Sequence, residues 1–212
     1  MTTFDFGNGP VPAHKHPNGG GWVADSATVA DTAYVGPDAK VFDNARVHDN
    51  AQVSGNARVY DNAQVAGYAQ VYGQVYGDAR VYGYAWVYGD AQVLNNAQVF
   101  GDARVLNNAR VFDNAQVYDN AWVFDNAMVF YNAWVYDNAQ VYGDARVYDN
   151  AQVSGNALVY DNAQVYGDAE VYGDAEVDGN AWVYGDAEVF DKAKEDMFIE
   201  MNGKRYKLVE VE

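Results

Sequence analysis

A six-residue phrase repeats from Val23 to Lys194 almost without interruption, and it leaves few architectures open. Val41-Phe42-Asp43-Asn44-Ala45-Arg46 is followed by Val47-His48-Asp49-Asn50-Ala51-Gln52, and the array closes on Val189-Phe190-Asp191-Lys192-Ala193-Lys194. Counting from the valine, position 2 is usually aromatic, position 3 Asp or Gly, position 4 Asn or Asp, position 5 Ala and position 6 variable. A fixed short period means a stack of like units, each touching only its neighbours. Six residues do not fit the 3.6-residue helical period. They fit one short strand and one corner. Ala and Val alternate with the variable residue and the ring, so Ala and Val share one side. Asp-Asn, Gly-Asp and Asn-Asn supply the corner, because these residues tolerate left-handed backbone or bond their own chain. Three units then close a triangular coil of about 18 residues that pairs in parallel with the next.

The array holds 28 such units and one exception. Val71-Tyr72-Gly73-Gln74 is a tetrad, with 8 hexads before it and 20 from Val75 onward. A deletion with a tightened corner is the favoured expectation; a bend in the rod is the other.

The spacing of an aliphatic residue followed four positions later by a small one resembles the hexapeptide-repeat family. That resemblance covers Val23 to Lys194 and implies an all-β, left-handed parallel β-helix, a known exception to right-handed crossovers. The phrase Gly19-Gly20-Gly21-Trp22-Val23 is also similar to hexapeptide-repeat proteins of phage and prophage genomes. Two departures separate this chain from the family's acyltransferases. Position 2, commonly small there, is Tyr, Phe or Leu in every unit from Tyr72 to Tyr148. No loop interrupts the coils to carry a catalytic His, and His48 is the one His inside the array.

Three segments follow: an irregular Pro- and Gly-rich N-terminal cap or arm (residues 1–22), the solenoid (23–194), and a C-terminal β-hairpin cap (195–212) turning at Asn202-Gly203. Trp22 is a candidate lid for the open core. Cys is absent, so disulfides and thiolate chemistry are excluded. No basic-then-apolar leader and no apolar run of membrane-spanning length is visible, so the expectation is a cytoplasmic protein that does not enter a membrane.

With Val inward, position 2 points outward and forms three ladders. Tyr76, Leu94, Phe112, Phe130 and Tyr148 make one; Tyr82, Phe100, Tyr118 and Tyr136 a second; Tyr72, Tyr88, Leu106, Phe124, Tyr142 and Tyr160 a third. Such ladders stack on themselves, and exposed rings also mark interaction surfaces. Trp86 and Trp122 lie two coils apart and so share a face. Trp86, Trp122, Tyr82, Phe100, Tyr118 and Tyr136 are therefore the candidate binding surface, for a protein or for a second copy in a homo-oligomer.

The formal charge is −17, and 20 of the 23 Asp sit at corners. A surface this acidic does not bind nucleic acid directly. Acids in rows along a slender rod instead suit a nucleic-acid mimic that occupies a nucleic-acid-binding protein. Asp168, Glu170, Asp174, Glu176, Asp178, Asp186 and Glu188 form the densest stretch, with only Lys192 and Lys194 nearby. Solubility is the simpler account of the same charge.

Catalytic signatures are missing: no phosphate-cradling glycine loop, no nucleophile elbow and no metal-spaced His set. His14 and His16 lack a third ligand, and corner Asp and Asn match no calcium-loop pattern. The sequence thus points to a non-catalytic acidic rod, without cofactor or metal, that binds a protein and blocks it in a phage-type setting. The alternatives are a hexapeptide-repeat acyltransferase and a self-assembling structural rod.

Overall fold

The computed structural model describes residues 2–190, 198–201 and 204–207. They build a parallel β-solenoid of two-residue strands, almost every one spanning positions 6 and 1, as in Gln98–Val99 and Gln116–Val117. Every third strand joins the same sheet, which gives three sheets of twelve, twelve and nine strands. We name them by their first solenoid strand: sheet 1 from Trp22–Ala24, sheet 2 from Thr28–Val29 and sheet 3 from Tyr34–Val35. Valine pairs with valine in every rung, as Val81 with Val99 and Val99 with Val117, 18 residues apart.

Amides at even positions donate to odd-position carbonyls one coil on. Gln98 donates to Ala115 at 3.0 Å, Phe100 to Val117 at 3.0 Å and Asp102 to Asp119 at 2.7 Å. The interior is as narrow as the sequence implies. Every position-1 valine from Val35 to Val171 and every position-5 alanine from Ala33 to Ala175 is fully buried. Valine fills the flat of each side and alanine the inside of each corner, where a larger group would overpack.

The corner explains why Asp and Gly own position 3. That residue takes a left-handed backbone at almost every turn, with φ 58° at Asp113, 57° at Asp137 and 70° at Gly101. Its amide is used neither by the rung-to-rung ladder nor by the bond inside the corner, where position 5 donates to the position-2 carbonyl, as Ala97 to Leu94 at 3.3 Å. The position-3 Asp of the coil before caps it: Asp49 Oδ2 accepts from Gly67 N–H at 2.9 Å, and Asp137 Oδ2 from Gly155 N–H at 3.1 Å. Position 4 adds amide ladders, with Asn114 Nδ2 donating to Asn132 Oδ1 and Asn132 Nδ2 to Asn150 Oδ1, each at 3.1 Å.

The tetrad closes a corner with two residues fewer. Sheet 3 runs through it as Val53, Val71, Val87, and sheet 1 as Val59, Val75, Val93. Gly73 takes the place of alanine, its carbonyl accepting from Arg58 N–H at 3.2 Å. A Cβ there would stand 2.4 Å from the Ala91 carbonyl oxygen, so only glycine permits the shortcut.

The N-terminal segment corrects the expectation of an irregular cap. Strand β1 (Thr3–Asp5) pairs antiparallel with β2 (Pro10–Lys15), and β2 with β3 (Trp22–Ala24), extending sheet 1. The glycines fall in the two reversals: Gly19 to Gly21 in the second, and Gly7 and Gly9 in the first, where Asp5 Oδ1 accepts from their amides at 2.7 and 3.0 Å. Pro12 stays in the strand by using its carbonyl, which accepts from Asp25 N–H at 2.9 Å. Trp22 is not a lid. It stacks on Phe4 at 4.4 Å in a separate outer cluster with Phe6, Ala13, Ala24 and Phe42. The end of the core is met instead by the loop at Asn18–Gly21, which bonds Val35 through the Gly21 amide and the Asn18 carbonyl at 2.9 and 3.0 Å.

At the other end, strands Phe198–Met201 and Lys204–Lys207 pair antiparallel and continue sheet 2. The turn expected at Asn202-Gly203 lies outside the described residues.

Candidate functional site

Position-2 rings form the expected columns. Phe112, Phe130, Tyr148 and Tyr166 follow at 4.8 to 4.9 Å between centroids with planes 1 to 7° apart. Tyr82, Phe100, Tyr118 and Tyr136 do the same at 4.9 to 5.1 Å and 2°. The rung pitch dictates that separation, so neighbouring rings overlap with an offset. Each ring leans back over its own sheet. Tyr82, Tyr136 and Tyr148 hydroxyls donate to Gln98, Gln152 and Gln164 Oε1 one rung on, at 3.4, 3.4 and 3.2 Å.

Exposure is therefore lower than outward pointing alone implies. Tyr82, Phe100, Tyr118 and Tyr136 are all half-buried, and Leu94 and Phe42 are buried outright. Burial pushes the Tyr118 phenol up to about 12, helped by nearby Tyr136, Asp119 and Asp137. Tyr160 is raised to about 12 by burial and then by its hydroxyl bond to Asp178 Oδ2 at 3.1 Å.

The six candidate binding residues fall on two sides of the rod. Tyr82, Phe100, Tyr118 and Tyr136 flank sheet 2, whereas Trp86 and Trp122 lie on sheet 3. The two indoles do share a face, with Arg104 between them, its guanidinium 5.0 Å from the Trp86 ring and 4.6 Å from the Trp122 ring. Trp86 is exposed and Trp122 half-buried.

The acidic residues wrap the rod. Asp168 and Asp186 are one rung apart on the corner after sheet 1, and Glu170 and Glu188 pair on sheet 2. Asp174 holds the next corner, and Glu176 and Asp178 lie on sheet 3. Six of the seven are exposed and Glu176 is half-buried. Some carboxylates also work inside the fold: Asn150 Nδ2 donates to Asp168 and Asn156 Nδ2 to Asp174, each at 2.9 Å.

Among the described residues, no group of three His, Cys, Asp or Glu side chains is placed to hold a metal. His14 is exposed and pairs with Asp25 at 2.8 Å. His16 is buried, its Nδ1 accepting from the Asn18 amide at 3.3 Å. His48 stands in the ring column beside sheet 2 between Ala30 and Ala66, half-buried.

Tyr68 and Tyr84 are exposed rings outside the three position-2 ladders. They are 52% and 58% exposed and stack at 5.1 Å on the corner between sheets 2 and 3. The available signal was the break in the phrase, a ring where position 4 should be Asn or Asp.

Strand spacing, corner chemistry and the valine core together describe a stack of repeats. A family model described as the YdcK beta solenoid repeat matches residues 51–67, 74–89, 97–113, 139–152 and 151–167. The matched segments are less than half of the chain, and the fold they share is a β-solenoid of repeats. No curated protein matches the sequence of the chain. As a β-solenoid it is a structural repeat scaffold, and its side chains are presented in columns at rung spacing.

Proposed function

We propose that the solenoid is a non-catalytic protein-binding rod whose acidic C-terminal coils occupy the nucleic-acid-binding surface of a basic partner. One observation carries this: the 44 residues from Val147 to Phe190 hold nine acids and no Lys, Arg or His. The acids are Asp149, Asp161, Asp168, Glu170, Asp174, Glu176, Asp178, Asp186 and Glu188. At 18 residues and about 4.8 Å per rung, those 44 residues rise about 12 Å. Nine charges over that rise is about one per 1.3 Å, close to the roughly one per 1.7 Å of duplex DNA. Their spread over all three sides means a concave basic partner meets charge however the rod is rotated. The β-sheet frame fixes the carboxylates in advance, which lowers the ordering cost of docking.

Affinity capture on the immobilised rod tests this, with a salt series and duplex DNA as competitor. The supporting result is retention of nucleic-acid-binding proteins at low salt, with release by salt and by duplex DNA. A variant carrying Asp168→Asn, Glu170→Gln, Asp174→Asn, Asp178→Asn, Asp186→Asn and Glu188→Gln should lose that capture while keeping its melting temperature. Capture that survives these six substitutions, or that duplex DNA leaves untouched, refutes the proposal.

A further inference from the structure

Two kinds of departure from the six-residue phrase meet an exposed indole in space. Tyr replaces Asn or Asp at Tyr68 and Tyr84, Trp stands at Trp86 where Gln70 precedes it, and the shortened unit is Val71 to Gln74. All meet on two adjacent rungs of sheet 3. Tyr68 and Tyr84 form one edge. Gln70 and Trp86 pair in the middle. Tyr72 and Tyr88 stand at the far edge, 5.0 Å apart, with planes 51° apart where the long ladders stack within 7°. That tilt occurs where the shortened corner leaves room.

Two openings result. A cleft of about 200 Å³ lies among Gln70, Tyr72, Trp86 and Tyr88, the size of a single ring rather than of a folded segment. Beside it the missing corner leaves a notch bounded by Asn56, Gly73, Gln74, Gly89 and Asp90. Farther along this corner column, Asn108 N–H donates to Asp125 O and Asn126 N–H to Gly143 O, both at 2.9 Å. The tetrad has no residues at those two positions. The Asn56 amide on one side of the gap and the Gly89 carbonyl on the other are therefore left without backbone partners, on coils two rungs, about 9.6 Å, apart.

We propose that cleft and notch together bind a neutral oligosaccharide. The exposed rings of Trp86 and Tyr88 and the half-buried ring of Tyr72 stack on the C–H face of a sugar, an apolar contact with a polar rim to which Arg104, 5.0 Å from the Trp86 ring, adds donors. Hydroxyl groups are donors and acceptors at once. The notch supplies both kinds: the Asn56 backbone and side-chain amides and the Gln74 amide as donors, the Gly89 carbonyl and the Asp90 carboxylate as acceptors. None of the notch residues is Lys or Arg, and a chain of net charge −17 repels anionic sugars and phosphates. A proline-rich peptide would use the rings but would leave the Asp90 carboxylate and the Gly89 carbonyl unpaired.

Calorimetric titration of the full chain with cellohexaose, maltohexaose and the neutral hexa-N-acetylchitohexaose, and with decaproline as the competing class, tests the site. The expected result is binding of at least one hexaose in the millimolar range or tighter, weakened about tenfold or more by Trp86→Gln. Gln already occupies this column at Gln52, Gln70 and Gln140, so the variant should fold. The decisive variant inserts Asp-Ala after Gly73 and restores a full hexad. It closes the notch while matching the surrounding repeats, so its melting temperature should hold or rise as hexaose binding disappears. Absence of binding by all three hexaoses at about 10 mM overturns the proposal. So does hexaose binding that the insertion leaves unchanged, or binding of decaproline alone.

Discussion

Position 3 of each corner is where glycine should outperform alanine, and Asp137 gives the cleanest test. Its φ is 57°, and its Oδ2 accepts from the Gly155 amide at 3.1 Å. Asp137→Gly removes that hydrogen bond, worth about 1 kcal/mol at an exposed site, and leaves the backbone unstrained. Asp137→Ala removes the same bond and places a Cβ in the left-handed region at a further cost of about 1–2 kcal/mol. The expected order is Asn close to Asp, Gly about 1 kcal/mol worse, and Ala about 2–3 kcal/mol worse. In an ordinary strand Gly is the poorer residue by about 0.5–1 kcal/mol, so the expected sign is reversed. Urea midpoints compared at a common m-value read the differences directly. An alanine variant as stable as the glycine variant would refute the backbone role assigned to these aspartates.

Three other outcomes follow from the geometry. Ala115, fully buried inside a corner, should not accept leucine: Ala115→Leu is expected to destabilise by about 1–3 kcal/mol, and an unchanged melting point would place that residue outside the core. Tyr131 is a bulky residue held at φ 56° where this column otherwise carries Asp, Asn or Gly. Tyr131→Asn should therefore stabilise by about 1 kcal/mol, and a loss of stability would show that its contact with Phe130 outweighs the strain. Raised phenol pKa values at Tyr118 and Tyr160, both about 12, mean that the folded state holds those protons more tightly than the unfolded chain, whose phenols titrate near 10. The stability these phenols contribute should be fully present below pH 10 and be lost between pH 10 and 12. Thermal melts across that window check it, and a melting temperature constant to pH 12 would contradict it.

Much of the frame was legible because a strict period binds every unit to one conformation. Valine and alanine at fixed spacing have one shared side, and that side is the core. The columns from Tyr82 to Tyr136 and from Phe112 to Tyr148 follow from the same count. What the count could not supply was lateral contact. Whether Tyr82 is open or half-covered depends on Gln98 in the next coil, and their hydroxyl–amide bond belongs to the stack rather than to the unit. The role of Asp49 or Asp137 as a cap on the next coil was hidden for the same reason, although their left-handed backbone was readable from residue type. The first 22 residues carry no period, and there Pro and Gly content misled: Gly7 and Gly9 sit in one reversal, and Pro12 tolerates a strand by offering only its carbonyl. The meeting of Tyr68, Tyr84, Trp86 and the tetrad on one side needed the coil length, since 16 residues separate the two corner tyrosines.

The claim beneath all of this is that chain segments 18 residues apart, or 16 across the tetrad, lie one rung apart. The chain has no cysteine, so Gln64→Cys with Gln152→Cys gives a specific pair for spin labels, both on sheet 2 and both outward. Five rungs join these strands, one of them the shortened step between Gln64 and Arg80. Pulsed dipolar spectroscopy should return one narrow distance centred near 24 Å, five times about 4.8 Å. A broad distribution, or a distance several rungs longer or shorter, would contradict the stacked-coil account.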